Sequence, residues 1–166
     1  MNVIVGASYL LVAALLQVTL AWRISLLQGP ADLVLLVLLA WMLQEPARAD
    51  WRWGVLAGLI LSLFSSLPFW VPLLGYGVTA IIVRVLETRI WQNSLLTFFT
   101  SIVAGIITIQ ATTLMYLWLN ANTLDLGEVF NLVTMPSIIL SMIFALPIYG
   151  LVGELTRMLI PPAGET

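Results

Sequence analysis

Between Ser94 and Leu119 the chain contains no Asp, Glu, Lys or Arg. This stretch is longer than the roughly 20 apolar residues that carry an α-helix across the ~30 Å hydrocarbon core of a bilayer. Five further apolar stretches run at about residues 3–22, 30–44, 51–67, 73–87 and 132–160, separated by polar or proline-bearing linkers. Of 166 residues, 61% are hydrophobic and 8% charged, where a soluble domain has about 25% charged. Too few polar side chains exist to cover a water-facing surface. The expected fold is all-α: a single transmembrane domain over residues 1–166, forming a polytopic bundle of about six helices. The first run starts at Val3 with no basic region ahead of it, so no cleavable signal peptide is expected.

The absences narrow the chemistry. Without Cys there are no disulfides or thiolate ligands, and without His the commonest general base and metal ligand is missing. Lys is absent too, so the six basic residues are all Arg, too scattered for nucleic-acid binding. No phosphate-binding glycine loop, nucleophile elbow or closely paired carboxylates occur. Neither a cofactor, a metal site nor an enzymatic activity is expected.

Several residues set the element boundaries. Pro30 suits a first helical turn, and Asp32 falls where the positive end of a helix dipole favours an anion. The second span, at 14–16 residues, would be only about 21–24 Å long. Pro68-Phe69-Trp70-Val71-Pro72 reads as a tight turn and Asn120–Asn131 as the longest polar loop, while Pro147 is expected to kink the last helix. Trp22, Trp41, Trp51, Trp53, Trp70, Trp91 and Trp118 fall near span ends, the pattern of an interfacial aromatic belt. With six spans and a cytoplasmic N-terminus, Arg48, Arg52, Arg84, Arg89 and Arg157 lie inside and only Arg23 outside, in line with the positive-inside rule. A re-entrant second helix with the N-terminus outside would place all six Arg inside and remains the alternative.

Within the spans, Gly54, Gly58, Ser62 and Ser66 are spaced by four. Such a stripe lets helix backbones approach closely, either within the bundle or against a partner. Asp32 is either an exposed helix-end residue or part of an ion, substrate or partner site. Arg84 with Glu87, and Glu154 with Arg157, have the i, i+3 spacing of local ion pairs. Gln17, Gln110, Thr108, Thr112 and Thr113 are expected to cross-link helices or to line a cavity.

The late Gln17 of the first span, then Gly29-Pro30-Ala31-Asp32-Leu33, then Trp53-Gly54-Val55-Leu56-Ala57-Gly58 through to Ser66-Leu67-Pro68, resemble the rod-shape-determining MreD family. One departure is Ser62, where that family often carries Asp. The resemblance implies about six spans with both termini cytoplasmic in the bacterial inner membrane, and a bundle similar to the S-components of energy-coupling-factor transporters. It also implies a non-catalytic scaffold of the cell-elongation complex, supporting cell shape and peptidoglycan synthesis. The implied partners are an MreC-like bitopic protein, RodA, a class B penicillin-binding protein and membrane lipids. The candidate partner or helix-packing residues are Gly54, Gly58, Ser62, Ser66, Asp32 and Trp70, with the segments around Phe69 and Asp125–Glu128. A vitamin-binding S-component is the rival function. It would dock its coupling subunit through small residues spaced by four, of which Gly6, Leu10 and Ala14 are a poor version.

Overall fold

A computed structural model describes residues 2–20, 25–26, 29–44, 50–89, 94–120 and 126–159. Trp22, Arg23, Arg48, Trp91, Asp125 and Pro161-Pro162 lie outside the described residues, as do the side chains of Arg89 and Glu128. The described chain is helical apart from one minimal antiparallel pairing. Its elements are α1 (Asn2–Leu20), β1 (Ser25–Leu26), β2 (Gly29–Pro30), α2 (Leu33–Met42), α3 (Trp51–Ser62), α4 (Trp70–Arg89), α5 (Ser94–Leu119), α6 (Leu126–Val129) and α7 (Met135–Leu159), with a π-helical turn, Phe130–Thr134, joining the last two. Among the described residues, three stretches are long and apolar enough to cross a bilayer: Trp70–Thr88, Leu95–Leu119 and Phe130–Met158.

The centre of the bundle is α2. Eight of its ten residues are buried, and they lie on every side of the helix. A helix apolar all round finds no water-facing side, so it belongs inside. It packs against α1, α3, α5 and α7. Ten residues span about 15 Å, half of a hydrocarbon core. The expected 30–44 helix is therefore too long at its start. Pro30 is not in a first helical turn but pairs with Ser25 in the two-residue hairpin. Asp32 is the N-cap, and its own non-helical backbone leaves the helix to begin at Leu33.

Helix α3 begins on Asp50, whose carboxylate accepts from the Arg52 N–H at 3.2 Å. It ends at Ser62 and not at Leu67. Ser65 offers its hydroxyl to the Leu67 N–H at 3.2 Å, a local turn bond that competes with the helix. Pro68 also disfavours helical backbone at Leu67. Helix α4 starts at Trp70, earlier than the expected Leu73. Pro72 is its third residue, where a missing N–H costs nothing because no intrahelical acceptor faces it.

The last helical segment also begins earlier than residue 132. Pro136 has no N–H to give the Leu132 carbonyl, and the preceding turn is wound wider, with the Met135 N–H reaching Phe130 O. The hairpin packs against this turn and α7. Helix α7 runs unbroken through Pro147.

The two central packing contacts depend on missing side chains. A Cβ on Gly54 would sit 2.5 Å from the Tyr76 carbonyl oxygen and overlap Ala80, and one on Gly58 would sit 2.7 Å from Leu73 Cα. Helices α3 and α4 thus meet backbone to backbone, the close approach that stabilises helix pairs in lipid.

Candidate functional site

The described polar side chains converge most closely at the start of α2. The Asp32 carboxylate accepts from the Leu35 N–H at 3.0 Å, closing the helix end. The Tyr76 hydroxyl of α4 donates across the bundle to the same carboxylate, 2.6 Å from Oδ2 and 2.8 Å from Oδ1. Gln17, near the end of α1, accepts from the Val34 N–H through Oε1 at 2.9 Å. Three helices, α1, α2 and α4, are therefore tied at one point.

The physical need for this knot follows from the fold. The first N–H groups of a helix have no intrahelical acceptor. In an apolar surrounding each unmet group costs roughly 2–7 kcal/mol. Asp32 and Gln17 meet two of them, at Leu35 and Val34. Tyr76 in turn satisfies the carboxylate. In the sequence, Asp32 is marked by its place at a helix start and Gln17 by its polarity within a span. Tyr76 carried no such mark. Its one legible signal is a phenol in the middle of an apolar stretch, where a buried hydroxyl needs a partner.

The small-residue stripe is divided by the end of α3. Gly54 and Gly58 face α4 and are buried, so they pack this chain onto itself. The Ser62 hydroxyl bonds the Leu59 carbonyl at 2.7 Å within its own helix. Ser66 lies beyond the helix and is exposed; spacing by four does not continue a face once the helix has stopped. Trp70 is half-buried against Tyr116 of α5, edge to face with ring centres 5.5 Å apart. Next to it the turn between α3 and α4 exposes Leu63, at 81%, and Phe69, at 66%.

Other expectations change. Trp41 is not an interfacial anchor. It is fully buried, edge to face with Tyr9 at 5.4 Å and Trp53 at 5.5 Å. Gly6 makes room for that cluster. Trp51 and Trp118 are exposed near helix ends, as belt residues would be. The Thr108, Thr112 and Thr113 hydroxyls bond carbonyls four residues back at 2.7–2.9 Å, so they do not cross-link helices. Neither Arg84 with Glu87 nor Glu154 with Arg157 forms an ion pair; among the described residues the one pair is Arg52 with Asp50, at 3.8 Å. Gly6, Leu10 and Ala14 are buried inside the bundle. They are not available as a docking strip for a coupling subunit.

The described residues contain no group of three or more acidic residues that could hold a metal ion. Asp32 caps α2 and ties it to α4. Fold and site together define a helical membrane-protein bundle whose polar knot serves architecture. The sequence matches the family of the rod shape-determining protein MreD over residues 1–159. The chain belongs to that family, and is a rod shape-determining membrane protein. No solved structure matches it.

Proposed function

We propose that the chain is a non-catalytic, multi-pass scaffold of the cell-elongation complex in the bacterial inner membrane, with both termini cytoplasmic. It binds an MreC-like bitopic protein and, through it, RodA and a class B penicillin-binding protein. The family match carries this reading. The tie at the start of α2 supports it: Asp32 accepts from the Leu35 N–H and from Tyr76 of α4, and Gln17 of α1 accepts from the Val34 N–H, which makes this point a fixed strut.

In this orientation the α3–α4 turn lies on the periplasmic side. Leu63, Phe64 and Phe69 are exposed there beside half-buried Trp70. This is the surface offered to the bitopic protein. Gly54 and Gly58 support it from within by fixing α3 against α4. Exposed aromatic and aliphatic side chains on a rigid turn suit a central anchor of an interface.

The test is co-purification of the MreC-like protein with the tagged full chain from native membranes. Phe69→Asp should reduce recovery about tenfold, a loss of 1.4 kcal/mol, with the chain's own level unchanged. Equal recovery would remove the turn from the interface. The vitamin-transport reading has less support, because its expected docking strip is buried at Leu10 and Ala14.

A further inference from the structure

Helix α7 leaves large apolar side chains exposed along its length, among them Ile139, Ile143, Leu146, Leu151 and Met158. Its exposed residues recur in pairs every four positions. Leu146 with Pro147, Gly150 with Leu151, and Glu154 with Leu155 all face outward. That spacing keeps one strip on one side of a helix. It is also the spacing of helix pairs that cross closely in lipid, with a small residue at the crossing. At Gly150 nothing lies within 4 Å of where a Cβ would stand, so the backbone is open to a neighbour.

Lipid chains would cover an apolar strip equally well. The charges distinguish this one. Glu154 and Arg157 are exposed one turn apart on α7. They form no ion pair with each other or with another described residue. They lie in the last turns of α7, where opposite charges on a neighbouring helix would fix its register and orientation.

We propose that the chain dimerises through this face of α7, with Glu154 of each copy paired to Arg157 of the other. The strip carries both signs, so a second copy supplies the complement that a foreign helix would have to match. A twofold axis makes every contact reciprocal: where residue i meets j, j meets i. Two parallel α7 helices crossing at Gly150 have diverged at Glu154, about 6 Å along the axis at 1.5 Å per residue. The like carboxylates are thereby separated. Arg157 lies one turn further on, and its long side chain reaches back to the opposite carboxylate. This inference stands on α7 alone and is independent of the scaffold reading.

The chain has no cysteine, so single cysteines report directly. In native membranes, Leu151→Cys in the full chain should cross-link to a species of twice its mass. Ile81→Cys, exposed on α4, should not. Adding Glu154→Arg or Arg157→Glu alone should lower the cross-linked fraction about tenfold, which is 1.4 kcal/mol of association. Combining both swaps should restore it, and that recovery also shows that the swapped chains still fold. Equal cross-linking at Ile81, a Leu151 product with the mass of a different protein, no product at Leu151, or no rescue by the double swap would each overturn the proposal.

Discussion

Asp32 gives its carboxylate to a helix end and to a tyrosine, and each contact predicts a different mutational effect. Asn caps a helix nearly as well as Asp, so Asp32→Asn should be mild. Asp32→Ala leaves the Leu35 N–H and the Tyr76 hydroxyl unmet, and should cost about 2–6 kcal/mol, each unmet buried group contributing about 1–3. Tyr76→Phe removes one donor and should cost about 1–2 kcal/mol. Thermal unfolding of the detergent-purified chain reads these differences. Because Asp32 and Tyr76 contact each other, Asp32→Ala combined with Tyr76→Phe should cost less than the sum. Strict additivity would show that the hydrogen bond contributes nothing. At this scale the sequence revealed two members of the knot and hid the third. Asp32 and Gln17 are polar side chains in apolar runs, whereas Tyr76 reads as one more aromatic until the bundle places it opposite a carboxylate.

The helices themselves were legible wherever length and apolarity alone decide. Helix α5 has the expected limits of Ser94–Leu119, because nothing inside it competes with helical hydrogen bonds. Elements set by local competition were harder to read. The Ser65 turn ends α3 early, Pro136 shifts the winding before α7, and a two-residue pairing takes Pro30 out of α2. Burial gave the larger surprise. Spacing placed Gly54, Gly58, Ser62 and Ser66 on one stripe, but packing separates them. Gly54→Ala should cost about 1–3 kcal/mol by overpacking against the Tyr76 backbone, and Gly58→Leu should prevent the native α3–α4 packing. Ser66→Leu should stay within about 0.5 kcal/mol, as for surface changes. Helix α2 allows a matching contrast. Leu36→Ala, at a fully buried site, should cost about 2–5 kcal/mol. Leu11→Ala, on the outward side of α1, should cost far less. Accumulation in membranes and melting temperature check both sets.

For the whole molecule, the bundle is organised around a helix too short to cross a bilayer alone. Helix α2 is held at its start by Asp32, Gln17 and Tyr76, and near its end by the Tyr9, Trp41 and Trp53 rings. Such a centre fixes the relative positions of α1, α2, α3 and α4. The aromatic turn between α3 and α4 is then presented on a rigid base, as a binding surface requires. Composition made the membrane class plain, because so few charges cannot cover a soluble surface. It gave no sign that Trp41 is central and not interfacial, since an indole near a run's end suits either place. The central claim is that this bundle is a scaffold for a bitopic partner. The most direct measurement is affinity purification of the tagged chain from its native membrane in mild detergent, with mass spectrometry of what accompanies it. An MreC-like single-span protein should come along together with wall-synthesis enzymes, with the MreC-like protein reduced when Phe69 is replaced by Asp. Recovery instead of a membrane coupling subunit with two ATPases would contradict it.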